Sequence, residues 1–127
     1  MAKTTYLENI FLNLALRATA FTAPTTVYVA LYTSTPGVGG GGTEVSGGAY
    51  ARQSTAYGAA SSGQVQNNAA VVFPQATANW GTITSFAILD ASTGGNMLYF
   101  GSLTTSKTIN TGDQLQFATG GITVTES

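Results

Sequence analysis

The chain has 127 residues, only 7% of them charged, with four basic groups against five acidic and a formal net charge of −1. That length sets a single domain with one modest core. The near-neutral balance excludes a disordered charged tail and leaves no electrostatic footprint for nucleic acid. Cys and His are both absent, which removes thiol nucleophiles, disulfides, imidazole bases and the commonest transition-metal ligands together.

The N-terminal run Leu7–Leu16 is apolar but is interrupted by Glu8, Asn9 and Asn13. It is well short of the roughly 20 residues that cross a bilayer, so neither a membrane span nor a secretory leader is expected. Thr5 followed by Glu8 has capping-box spacing. Leu7, Ile10, Phe11 and Leu14 then recur at helical intervals, with Ala15 and Ala18 adding propensity. Glu8 near the start and Arg17 near the end complement the helix dipole. The spacing predicts a helix from about Tyr6 to Ala18, ended by the Phe21–Thr26 stretch with Pro24.

Everything beyond Pro24 reads as β. Val27–Thr33 is rich in β-branched and aromatic residues and apolar on both faces, as expected of a strand covered on both sides. Further strands are expected at Tyr50–Thr55, Ala69–Phe73, Ile83–Asp90, Met97–Leu103, Gln114–Phe117 and Ile122–Thr125. Breaks at Gly58–Gly63, Asn67-Asn68, Gly94-Gly95-Asn96 and Asn110–Asp113 separate them, and Gly94-Gly95-Asn96 between two strong strands signals a hairpin. Short strands at this spacing point to an all-β fold: a jelly-roll-like antiparallel β-sandwich with one N-terminal α-helix. The expected organisation is one domain over residues 1–127. Residues 1–20 form a helix or arm, residues 21–127 the sandwich, and residues 37–48 (GVGGGGTEVSGG) a flexible Gly-rich loop.

The candidates for chemistry each read better as structure. No Lys-Ser/Thr and no helix follow Gly37–Gly42, so the glycines do not make a phosphate cradle. Asp90 and Asp113 sit beside Gly or Ser, where Asp holds turns. A glycosidase would need two of Glu44, Asp90 and Asp113 held across a cleft, and no tuned acid–base partner is present. No run of acidic oxygens suits calcium. The expectation is therefore no catalytic residue, no cofactor and no metal. Among the aromatics, Tyr50 and Trp80 lie in strand-like runs and read as core or interface packing. Arg52, mid-strand in a chain with four basic residues, either pairs with Glu44 across a loop or reaches a partner's carboxylate with its planar fork. Arg52, Glu44, Tyr50 and Trp80 are the expected interface residues. Surfaces this poor in charge are covered in many proteins by further copies of the chain, which points to a symmetric assembly.

LYTSTP at 31–36, GTEVSGGAYARQ at 42–53, FPQATANWGTITSFAILDA at 73–91 and GGNMLYFGSLTTSKTINTGDQLQF at 94–117 resemble a family of small tailed-phage virion proteins, often called tail-fibre or minor structural proteins. Small β-sandwich proteins related to these serve as trimeric cement proteins on phage capsids. The resemblance runs from the helix to near the C-terminus, departs only in the extra glycines at 39–42, and carries no catalytic residues. It implies a non-enzymatic building block, assembled in the host bacterial cytoplasm. Its first form is a homotrimeric capsid cement protein that binds the major capsid protein on the outer capsid surface, holding the lattice by many weak contacts. The alternative is a tail-fibre or baseplate component acting in host adsorption. The chain has no repeats and no heptads for a fibre shaft. The stripe from Leu7 to Leu14 packs on its own sandwich or serves as a docking arm, since an amphipathic helix suits either.

Overall fold

A computed structural model describes residues 1–126. In chain order it contains β1 (Ala2–Lys3), α1 (Thr5–Arg17), β2 (Val27–Ser34), β3 (Thr43–Glu44), β4 (Gln53–Thr55) and β5 (Gln64–Gln66). β6 (Val71–Val72), β7 (Gly81–Leu89), β8 (Met97–Ile109), β9 (Gln116–Phe117) and β10 (Thr123–Thr125) follow. All pairings are antiparallel. The main sheet runs β1-β8-β7-β2-β3, with β4 beside β3 on the same edge of β2. β5 with β10 and β6 with β9 form two small ribbons that supply the second layer. The result is an antiparallel β-sandwich with one N-terminal helix, the class the sequence predicts.

The two apolar faces of Val27–Thr33 have separate destinations. Val29 and Leu31 join Ile83 and Ile88 against Val71, Phe73, Leu115, Ile122 and Val124 of the second layer. Ala30 and Tyr32 turn the other way, onto Ala87 and Leu89, with Met97 and Phe100 packed around them. Fully burying each large apolar side chain here contributes roughly 1.5–3 kcal/mol, so the first cluster holds the layers together.

β8 is much longer than the Met97–Leu103 segment expected, and it is irregular. Ile88 pairs with Tyr99 but Leu89 pairs with Met97, so Leu98 is an extra residue; Ile83 pairs with Lys107 but Ser85 with Ser102, so a second irregularity follows. Such bulges bend a strand and turn its backbone groups outward. The helix fastens to the first of them. Thr4 is buried; its N–H donates to Leu98 O at 3.0 Å and its hydroxyl to Met97 O at 2.6 Å. Thr4 is also the N-cap, its Oγ1 accepting from Leu7 N at 3.4 Å. The expected Thr5–Glu8 box is thus displaced by one residue. Thr5 N–H is taken by Val38 O at 2.8 Å, and a residue bonded that way is already inside the first turn. Ala18, in the left-handed region, closes the other end by donating its N–H to Asn13 O.

Three strands have no counterpart in the sequence reading: β1, β3 and β5. Two of them change the picture of a neighbouring segment. The Gly-rich stretch 37–48 does not stand off as a bare loop. Gly37 and Gly40 exchange backbone hydrogen bonds at 2.8 and 2.9 Å, Val38 caps the helix, and Thr43–Glu44 add to β2. Asn67, expected as a break, is buried and bonded throughout. Its side-chain amide donates to Ala69 O (2.8 Å) and Ala118 O (3.0 Å), and its carbonyl oxygen accepts from Ile122 N (2.9 Å).

Candidate functional site

The four residues singled out from sequence, Glu44, Tyr50, Arg52 and Trp80, form one connected cluster in the folded chain. β3 brings Glu44 opposite Tyr32 of β2. Val45 then buries its side chain and donates its N–H to Leu31 O at 3.0 Å. The chain reverses at Gly47 and Gly48, with Tyr50 N–H donating to Gly47 O at 3.0 Å. Gly48 has φ +59, and a Cβ there would lie 2.9 Å from Trp80 Nε1. Only glycine lets the indole close on this turn, where Trp80 Nε1–H donates to Gly48 O at 2.8 Å.

Tyr50 stands between the aromatic core and the charges. Its ring meets Trp80 edge-on, centroids 5.5 Å apart, and stacks with Phe73 at 6.1 Å. Its hydroxyl accepts from Leu31 N–H at 3.0 Å and donates to Glu44 Oε2 at 2.7 Å. Arg52 completes the cluster. Nε and Nη2 grip the two Glu44 oxygens, each at 2.8 Å, in the two-pronged geometry a guanidinium favours. Nη1 donates to Ala91 O at 2.9 Å and to Gly94 O at 2.8 Å in the β7–β8 connection. The Arg52 side chain is only 9% exposed.

The electrostatics follow from this packing. Burial pushes Glu44 upward, but the hydrogen bonds from Arg52 and Tyr50 and the Arg52 charge outweigh it and hold the carboxyl below its ordinary value. The hydrogen bond to Glu44 raises Arg52. Burial first, and then Glu44, keep the Tyr50 hydroxyl protonated far above its usual range. Nε, Nη1 and Nη2 of Arg52, both Glu44 oxygens and the Tyr50 hydroxyl all bond within the chain, so the cluster binds its own loops. Arg52, expected mid-strand, lies one residue before β4 and ties β3 and the β7–β8 loop into one unit.

Two clefts flank this tie. One, of about 560 Å³, lies between the start of α1, Gly39–Gly41 and the β7–β8 loop, with Tyr32, Leu89 and Met97 among its lining residues. The other, of about 460 Å³, is bordered by Val45, Tyr50 and Ser92. Asp90 and Asp113 lie outside the cluster and hold turns. Asp90 accepts from Asn96 N–H at 2.7 Å, and Asp113 from Asn110 N–H at 2.9 Å. Among the described residues no three acidic side chains gather where a metal would sit, and no helix is long and apolar enough to cross a membrane.

One surface matches the sequence reading only in part: the Leu7–Leu14 stripe includes Leu14, while Leu12 and Leu16 are not singled out. Leu12, Leu14 and Leu16 are 56%, 48% and 78% exposed, although they belong to the most apolar run of the chain. The signal was present in their i, i+2, i+4 spacing, which cannot place all three on one helix face.

Compared with known proteins, residues 2–125 match a family model described as podophage GP4 fiber I protein gp80. No curated protein matches the chain.

Proposed function

The chain belongs to the podophage GP4 fiber I protein family, and from that premise we propose that it is a non-enzymatic component of the phage tail fibre. A phage virion component assembled with other virion proteins is the broad role the family carries. The finer reading rests on one observation, the family match across residues 2–125. It is supported by a cluster whose charged groups are spent on internal ties, which suits a stiff block that acts by presenting surface. The block is proposed to self-associate, as a trimer, through faces that carry almost no charge.

A second reading is favoured by composition. With 7% charged residues and no shaft-like repeat, the sandwich also suits a cement protein seated on the major capsid protein at the outer capsid surface. Copy number separates the two. Quantitative mass spectrometry of purified virions, referenced to the major capsid protein, is expected to find a small number of copies per particle. A ratio near one to one would replace the fibre reading with the cement reading.

A further inference from the structure

One buried side chain carries a polar atom that the fold does not use. Tyr32 of β2 is 4% exposed, packed with Ala30, Ala87 and Leu89 on the face turned away from the second layer. Its hydroxyl makes no hydrogen bond among the described residues. Buried polar groups in folded proteins are nearly always bonded, so an orphan calls for a partner from outside. Thr84 and Ser85 of β7 also carry unpartnered hydroxyls, but those are sealed from solvent. That of Tyr32 is not sealed, and the residue borders the cleft of about 560 Å³ between the start of α1, Gly39–Gly41 and the β7–β8 loop. The hydroxyl therefore opens into that cleft. Burial, and after it the Glu44 charge, push the Tyr32 pKa up against the opposing pull of Arg52. The group keeps its proton and can donate as well as accept.

The size of the cleft suits a small molecule, since ligand pockets span roughly 300–1,000 Å³. The neighbouring cleft of about 460 Å³ differs, because the Tyr50 hydroxyl at its border is spent on Leu31 and Glu44. The walls then set the chemistry of the ligand. Arg52 is the one charged side chain among the described residues that line the cleft, and both Glu44 oxygens match its charge. No unmatched charge is left there to hold an ion. Leu89 and Met97 offer apolar surface, while Thr5, Asn96 and Tyr32 offer hydroxyl and amide groups. Gly39–Gly41 and Gly94-Gly95 also line it, and glycine lets a ligand approach the backbone N–H and C=O groups closely. An uncharged ring with an apolar face and a rim of hydroxyls meets all of these conditions.

We propose that this cleft binds a neutral saccharide, one hexose or N-acetylhexosamine ring, with the Tyr32 hydroxyl bonded to a hydroxyl of the sugar. The site goes beyond the fibre reading and does not depend on it.

The test is an amide-resolved NMR titration of the purified chain with D-glucose, D-galactose and N-acetylglucosamine. Inorganic phosphate and glucuronate are titrated separately as anionic probes. At least one neutral sugar is expected to shift the amides of Gly39–Gly41 and Gly94–Asn96 together, and to saturate. Tyr32→Phe keeps the ring and removes a hydroxyl that holds nothing in the fold. Its melting temperature is expected to match wild type, while affinity for that sugar falls about fivefold, the usual worth of one hydrogen bond. Absence of shifts with all three sugars overturns the inference. So do shifts clustered away from the cleft, binding of the anions in place of neutral sugars, and undiminished binding by Tyr32→Phe. A lower melting temperature for Tyr32→Phe overturns it as well, because the hydroxyl would then have a partner in the fold. None of these results bears on the fibre reading, which copy number decides.

Discussion

Glu44 is where the sequence and the fold make the most specific demand of a single side chain. It accepts from Arg52 twice and from Tyr50 once, so Glu44→Gln removes charge-assisted hydrogen bonds and is expected to cost about 2 kcal/mol. Because the folded chain holds this carboxyl below its ordinary value, its contribution is complete above the unfolded carboxylate pKa of about 4.3 and fades as pH falls through the lower folded value. The gap in melting temperature between wild type and Glu44→Gln is therefore expected to narrow from pH 6 to pH 3. A gap that widens on acidification contradicts the assignment. Arg52→Ala leaves Glu44 with Tyr50 as its one remaining donor and takes the Arg52 donor from two carbonyls, and its melting temperature is expected to fall well below that of Lys107→Ala, whose side chain is exposed. Asn67→Ala belongs to the same scale. It abandons Ala69 O, Ala118 O and Ile122 N, with an expected loss of about 2–3 kcal/mol read by chemical denaturation. From sequence Arg52 stood out because charge is scarce; Asn67 did not, since a buried Asn and a turn Asn look alike until its partners 51 and 55 residues away are known.

At the scale of elements, the Gly-rich stretch carries the clearest lesson. Loop length alone costs little entropy, and on that ground residues 39–42 would be dispensable. The fold distinguishes among them. A Cβ at Gly39 meets nothing within 4 Å. Gly42 has φ +75, and a Cβ there would lie 2.7 Å from Ser34 O. Gly39→Ala is expected to leave stability within about 0.5 kcal/mol, whereas Gly42→Ala is expected to cost at least about 1 kcal/mol through its backbone conformation alone. Equal melting curves for the two would refute the β2–β3 turn as described. The helix shows a related contrast. Periodicity located it to within a residue or so at each end, but the cap moved from Thr5 to Thr4 because β8 supplies the carbonyls that Thr4 needs.

At the scale of the whole molecule, the sandwich leaves two kinds of surface: sheet and ribbon faces with few charges, and a helix end that is apolar on opposite sides. Removal of residues 1–20 would strip away β1, which pairs Ala2 with Phe100, and the Thr4 hydrogen bonds to Met97 O and Leu98 O. Such a truncation is expected to bind a hydrophobic dye and melt at lower temperature than the full chain. A truncation that stays monodisperse with unchanged melting, and fails only to enter virions, would show that the helix contributes nothing to the body's stability.

By itself the sequence determined the class of the protein: a small all-β chain with one N-terminal helix and no His or Cys chemistry, built of motifs that resemble phage virion proteins. Composition and period-2 or period-3.6 patterning carry that information locally, and Val27–Thr33 and Leu7–Leu14 are long enough for the pattern to register. Only the tertiary structure decided which short segments pair. β1, β3 and β5 are two or three residues long, too short for any period, and each exists because another strand offers it a hydrogen-bonding edge: β8 and β10, far along the chain, for β1 and β5, and neighbouring β2 for β3. The same holds for the site. Glu44, Tyr50, Arg52 and Trp80 were visible as unusual residues, but Arg52 meets Ala91 and Gly94 across about 40 residues of chain. A contact of that range has no local signature; it comes into being when the β2–β7–β8 sheet closes and places three loops side by side.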